Sequence, residues 1–227
     1  MPHSSQAAAT SDPDSSSRRN LPVPVSQGEV LRPPSDIWLI RALRERGLRE
    51  LTLVVNSATH PFSLTHELID AGMVRKVIVS AARGRGKEPS AFERRWIEGR
   101  IGLECLPQGT FAERIRAGGA GIPAFYTPVG FRTELAQGKE VRRFGGRDCV
   151  LETAIVGDLA LIRADLADRY GNLRFRYAQA NFGPAMATAA KLAVAEVRAA
   201  QAEPIPPDRV QLPGIYVDRV LAVGNVR

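Results

Sequence analysis

The chain has 227 residues, enough for one α/β domain or two small ones and for a substantial buried core. Its 44% hydrophobic content is ordinary for a globular protein, and no apolar run approaches the roughly 18 residues that a membrane-spanning helix needs. A net charge of +7 invites a nucleic-acid reading, but the arginines are scattered (Arg41, Arg44, Arg46, Arg49; Arg94, Arg95, Arg100) and aromatics make up only 6%. The surface therefore reads as one that attracts anions, not as a nucleic-acid interface with bases stacked on aromatics.

Residues 1–20 are Ser, Ala, Asp and Arg with almost no large apolar side chain, a composition that does not offset ordering entropy, so disorder is expected there. Residues 21–35 are rich in proline and show no periodicity. A helix is expected from Ile37, with Ser35 or Asp36 as N-cap and Gly47 as its stop. Then come a strand at Leu51–Val55, a helix at Pro61–Gly72, a strand at Lys76–Ser80, a helix at Ala91–Gly99, a strand at Ile101–Leu106 and a helix at Thr110–Ala117. Strands separated by helical segments of this length indicate βαβ units and a parallel sheet. The second half changes texture. Short strands at Glu140–Phe144, Asp148–Glu152 and Leu159–Arg163 are joined by Gly pairs, and a turn at Tyr170–Asn172 leads into a return strand, Leu173–Tyr177. The alanine-rich run from Pro184 to Gln201 predicts a long, closely packed helix, and Ile215–Leu221 a closing strand. The fold class is thus α/β, an open, mostly parallel sheet with helices on both faces and a short-strand region added in the second half.

Met1–Ser5 has no charged segment followed by an apolar one, so no secretory signal is read and a cytoplasmic location is expected. Cys105 and Cys149 are the only cysteines and are expected to be reduced core thiols. His60 and His66 lie six apart without a neighbouring Cys or carboxylate cluster, so no metal site is expected.

Three places hold candidate chemistry. Gln108 follows a strand end and precedes a glycine and a helix, where an amide can donate to an acyl oxygen; by position alone an ordinary turn residue is the simpler reading. Asn56 and Ser57 occupy the corresponding place after the Leu51–Val55 strand, again either as donors or as turn residues. Gly118, Gly119 and Gly121 permit close backbone approach and positive φ, though one of them suffices as a helix C-cap. They form no GxGxxG pattern. Glu104, Glu113, Glu134 and Glu152 include no lone nucleophile, and Glu113 reads as a surface partner of Arg114 or Arg116.

The run Pro107-Gln108-Gly109-Thr110-Phe111-Ala112-Glu113-Arg114-Ile115-Arg116-Ala117-Gly118-Gly119-Ala120-Gly121-Ile122-Pro123-Ala124-Phe125-Tyr126-Thr127-Pro128 resembles the signature of the alpha (A) subunit of family I coenzyme A transferases of the 3-oxoacid type. The likeness continues through Glu134–Arg142, Gly157–Ala164, Asp168–Leu173, Ala180-Asn181-Phe182 and Leu212–Val217, and spans about Leu39 to Leu221. It implies an open α/β/α subunit that pairs with a homologous B (beta) subunit, usually as α2β2. The implied reaction moves coenzyme A from an acyl-CoA donor to a 3-oxoacid or other short carboxylate. It runs through an acyl-glutamyl anhydride and a glutamyl-CoA thioester on a glutamate of the B subunit, so no catalytic nucleophile is expected in this chain. Coenzyme A is a substrate, and no cofactor, metal, nucleic acid or membrane is implied. By the same resemblance Gln108 lies beside the reacting acyl group, Asn56 and Ser57 match a pair of asparagines with Ser57 substituted, and Gly118, Gly119 and Gly121 belong to the substrate-binding set.

Two departures stand out. Alpha subunits of the family carry a strand and a Gly-Gly-Phe-Gly-type loop ending in Gly-Ile-Pro-Glu before the first helix. This chain has Gln27-Gly28-Glu29-Val30-Leu31-Arg32-Pro33-Pro34-Ser35-Asp36-Ile37 at that place, with the strand and nearly all the glycines missing. Residues 1–36 therefore read as an atypical N-terminal segment, such as a frameshift or misassigned start would produce, and 37–227 as the transferase domain. A catalytically silent scaffolding subunit that keeps the partner surface is the alternative reading. Arg132 stands where the family has a glycine, and is expected to be strained if the turn there needs positive φ.

Overall fold

Strands alternating with helices build the first half of the chain. The computed structural model describes residues 25–26, 38–59, 64–84 and 86–224. Its elements in order are β1 (Val25–Ser26), α1 (Trp38–Glu45), β2 (Leu51–Ser57), α2 (Leu64–Asp70), β3 (Val74–Ala81), α3 (Ala91–Ile97), β4 (Gly102–Cys105), α4 (Gln108–Gly119), β5 (Ala124–Thr127), β6 (Val141–Phe144), β7 (Arg147–Thr153), β8 (Gly157–Ala167), β9 (Leu173–Arg174), α5 (Gly183–Thr188), β10 (Ala190–Ala200) and β11 (Arg219–Ala222).

Strands β2, β3 and β4 form a parallel sheet in that order, with Val55 beside Val79 and Val79 beside Cys105. Successive side chains of a strand point to opposite faces, and β3 uses both. Val77 and Val79 pack with Leu68 and Ile69 of α2 and Phe92 of α3. Ile78 packs on the other side with Leu106 and with Phe111 and Ile115 of α4. Helices therefore cover both faces, and the three strands end together at one carboxyl edge. A second sheet, ordered β1-β11-β10-β8-β9, is parallel except for β9, which runs antiparallel to β8. Its core is built from small residues, among them Ala160, Ala164, Ala193, Ala195 and Val197. A third, antiparallel sheet is ordered β5-β7-β6. The β6–β7 hairpin turns at Gly145 (φ 52°) and Gly146 (φ 80°), the paired positive φ values of a primed turn.

Several expectations need correction. The long helix over Pro184–Gln201 is instead the short α5 followed by the eleven-residue strand β10. Alanine's helix propensity is a weak prior that tertiary context overrides. Here Ala193, Ala195 and Val197, two residues apart, are at most 1% exposed between β8 and β11, where small side chains let layers close on a central strand. The closing strand begins only at Arg219. Residues Gly214–Tyr216 form a 3-10 turn seated on the Tyr170–Gly171 corner, where a Cβ on residue 214 would overlap the Tyr170 carbonyl. The return strand after Asn172 is only Leu173–Arg174, because Tyr177, at φ 52°, opens a 3-10 turn. Strand β5 is an addition to the expected elements. Ahead of the first helix a short strand does exist, since β1 pairs in parallel with β11. Backbone pairing along a free sheet edge needs no side-chain periodicity. The remainder of residues 1–37, including the proposed caps Ser35 and Asp36, lies outside the described residues, as does His60.

Candidate functional site

Asn56 and Ser57 end β2, Ser80 stands at the penultimate position of β3, and Gln108 opens α4 just past β4. The parallel register brings these ends side by side at one carboxyl edge, the place where ligands bind in open α/β sheets. The Ser80 hydroxyl donates to the Asn56 side-chain oxygen at 2.7 Å and to its backbone oxygen at 3.1 Å. This fixes the amide with its oxygen engaged and its two N–H donors left for other partners. Ser57 is turned back, its Oγ accepting from Thr59 N at 3.4 Å and lying 3.3 Å from the Thr59 hydroxyl.

Gln108 is the first residue of α4, two residues earlier than the sequence suggests. Its N-cap is Pro107, with no side-chain hydrogen bond capping the helix. The first amides of α4 therefore lack intrahelical acceptors, and the exposed Gln108 side chain has no hydrogen-bond partner among the described residues. Thr110 in the same turn is 3% exposed and its hydroxyl is unpartnered. Together Asn56, Ser80, Gln108 and Thr110 offer amide, hydroxyl and helix-terminal donors, which can hold and polarise an acyl oxygen. The carboxylate nearby, Glu93 of α3, is 7% exposed and accepts from Ser90 N at 2.8 Å and Gly84 N at 3.3 Å.

The glycines belong to the scaffold of this site. A Cβ at Gly118 would overlap the Ile155 carbonyl, and one at Gly119 would overlap Thr188 of α5. Gly121 has φ 71° with open space around it, and Ile122 N returns to Ala117 O at 2.9 Å, closing the helix in a left-handed cap. Arg132 does adopt φ 64°, the conformation expected to strain it.

A buried charge network fixes α4 from below. The Arg114 guanidinium donates to Thr153 O, to Glu104 of β4 and, at 3.3 Å, to the Thr153 hydroxyl, with Glu152 at 3.8 Å. Lys76 reaches Glu104 and Lys139 reaches Glu152, each at 2.6 Å. Burial opposes ionisation of Glu104, but the Lys76 and Arg114 hydrogen bonds outweigh it and hold the carboxyl below its ordinary value. Glu113 pairs with Arg116 on the surface, while Arg114 turns inward. Sequence reading missed Ser80, Thr110 and Arg114. For Arg114 the only signal was its place three residues after Phe111 and four before Gly118, on the inner face of the helix.

Cys149 is buried and Cys105 half-buried, both unpaired. No group of three or more His, Cys, Asp or Glu residues suited to a metal ion occurs among the described residues, and no helix among them is long and apolar enough to cross a membrane.

The family model described as Coenzyme A transferase matches residues 37–222. The A subunit of succinyl-CoA:3-ketoacid coenzyme A transferase from Xanthomonas campestris pv. campestris (strain B100) is 48% identical over 184 residues, covering 81% of this chain and 74% of that one. The A subunit of 3-oxoadipate CoA-transferase from Pseudomonas putida is 45% identical over 188 residues, covering 82% and 80%. Among solved structures, glutaconate coenzyme A-transferase from Acidaminococcus fermentans superposes with a TM-score of 0.70 at 17% identity, covering 92% of this chain and 73% of that one. A variant of the decarboxylase AibA/AibB gives 0.69 at 23%, covering 87% and 75%. A transferase and a decarboxylase on one backbone show that the fold alone does not choose the reaction.

Proposed function

The chain belongs to the coenzyme A transferase family, and from that premise we propose that it is the A subunit of a heteromeric enzyme that moves coenzyme A from an acyl-CoA donor, such as succinyl-CoA, to a 3-oxoacid or other short carboxylate. The relatives' names specify 3-ketoacid and 3-oxoadipate substrates and an A subunit, which supports a 3-oxoacid and a partner B subunit. The observation that carries the reading is the donor edge formed by Asn56, Ser80 and Gln108, none of which is a carboxylate.

In this reading the partner's glutamate carboxylate attacks the thioester carbon, the carbonyl oxygen takes up negative charge, and the C–S bond breaks to release the CoA thiolate. The thiolate then attacks the glutamyl carbonyl, freeing the donor carboxylate and leaving a glutamyl-CoA thioester, and the acceptor reverses these steps. Gln108 donates to the acyl oxygen where that charge develops, Asn56 presents its N–H groups beside it, and Ser57 lines the same edge. Gly118, Gly119 and Gly121 shape the end of the helix that carries Gln108. Coenzyme A enters as substrate, and the sequence of acyl transfers calls for no resident cofactor. The assembly is α2β2, with the transferase domain of this chain in residues 37–227. The scaffolding alternative rests on residues 27–37, which lie outside the described residues.

The test is co-expression with a B-type subunit, followed by assay of CoA transfer from succinyl-CoA to acetoacetate. Gln108→Ala should lower turnover tenfold or more, as losing one oxyanion donor does by roughly 100-fold elsewhere, with assembly intact. Unchanged kinetics remove Gln108 from the site, and an assembly with no transfer activity favours the scaffold.

A further inference from the structure

Two backbone anomalies sit close together near the end of the chain's second sheet. Tyr177 (φ 52°) and Asn181 (φ 40°, ψ −121°) are non-glycine residues at positive φ, and they bracket the 3-10 turn Tyr177–Ala180. The Asn181 conformation is one that glycine adopts without strain and asparagine only tolerates. The turn's own hydrogen bond, Asn181 N to Ala178 O at 3.2 Å, uses the backbone alone. The exposed Asn181 side-chain amide has no hydrogen-bond partner among the described residues.

Packing places this amide. Helices α4 and α5 run side by side in the same direction. At one end Phe111 meets Phe182 edge to face, with ring centroids 5.4 Å apart. At the other end Gly119 closes on Thr188 so tightly that no Cβ fits between them. Phe111 is three residues from Gln108 and so shares its face of α4. Phe182 directly follows Asn181. The paired phenylalanines therefore bring residue 181 to the end of α4 that carries Gln108, at the carboxyl edge of β4.

We propose that Asn181 is a second amide of the acyl site, presented from this strained turn beside Gln108, and that it donates a hydrogen bond to the carboxylate of the 3-oxoacid acceptor. The inference rests on the acyl-site reading of Gln108. It explains why an asparagine stands where glycine would be unstrained. A carboxylate bound there needs donors, and Gln108 and Asn181 supply them from two elements locked together.

The backbone geometry gives a clean experiment. In the complex with its B-type partner, Asn181→Gly removes the amide and relieves the backbone, while Asn181→Asp keeps the shape and replaces the donor with a charge that repels a carboxylate. Both are compared with wild type and with Gln108→Ala, following melting temperature, kcat and KM for acetoacetate. The expected result is an unchanged or higher melting temperature for Asn181→Gly, with KM for acetoacetate raised about tenfold and a smaller change in kcat. Asn181→Asp should raise KM at least as much. If both variants stay within twofold of wild type while Gln108→Ala is impaired, Asn181 is only a turn residue and the acyl-site reading survives. If all three match wild type, both ideas fall. Should Asn181→Gly melt lower, Asn181→Asp decides: a thermally intact Asp variant with normal KM overturns the proposal, and one with raised KM sustains it.

Discussion

Gln108 and Glu196 are both polar residues beside a helix N-terminus, and their surroundings give them opposite character. Gln108 is exposed and unpartnered among the described residues, so its donors are free for a ligand. Glu196 lies mid-strand in β10 at 0% exposure, where one carboxylate oxygen accepts from Leu39 N in the first turn of α1 at 3.3 Å and the other has no partner among the described residues. Burial pushes its carboxyl up, and the Leu39 hydrogen bond and Arg163 only partly offset that. A carboxyl raised in the folded state contributes full stability below its unfolded value, here 4.5, and loses it as pH rises toward the folded value. Carbon-13 titration should therefore find Glu196 ionising above the ordinary glutamate range. A Glu196 that titrates at its ordinary value would show that the buried site is wet.

Helix α4 is the element on which the site depends, and it is fixed in three ways. Its inner face is packed by Phe111 and Ile115. Its C-terminal glycines allow contact with Ile155 and Thr188. Its Arg114 ties it to β4 and β7. Gly119→Ala forces a methyl into Thr188, and such overpacking costs about 1–3 kcal/mol. The melting temperature should fall by roughly 3–10 °C, with transfer activity falling further as Gln108 shifts. An unchanged melting temperature would mean that the α4–α5 contact is looser than the structure shows. The network behaves oppositely to Glu196 with pH. Glu104 is held below its ordinary value, so its contribution is complete above pH 4.5 and is lost as pH falls through the lower folded value. Glu104→Gln should lower stability at pH 7 and flatten the loss between about pH 5 and 3, and parallel melting curves for variant and wild type would contradict the assignment.

At the scale of the molecule, the donors collect at one edge, and the Glu93 carboxylate near them is taken up by the backbone N–H groups of Ser90 and Gly84. The isolated chain is therefore expected to show no CoA transfer. Activity should appear only on mixing with a B-type subunit, when light scattering should report an α2β2 mass. Transfer by the chain alone would place a nucleophile within it. The basic charge of +7 supports the same arrangement, since coenzyme A brings phosphates to a surface that attracts anions.

The first half of the chain is legible from sequence. Its strands β2 and β3 are rich in β-branched residues and each helix is closed by a glycine with positive φ, Gly47, Gly72 and Gly99 among them, so local pattern and tertiary fold agree. The placing of Gln108, Asn56 and Ser57 at strand ends also follows from spacing alone. Elsewhere local signals mislead. The alanines of β10 carry a helical propensity that only burial between two neighbouring strands overrules. What sequence by itself determined was the βαβ order and which residues stand after each strand, because periodicity is a short-range property. Only the tertiary structure decided that Ser80 orients Asn56, that Arg114 reaches Thr153 of β7, and that Phe182 meets Phe111 of α4, because each joins segments at least 24 residues apart whose meeting depends on packing.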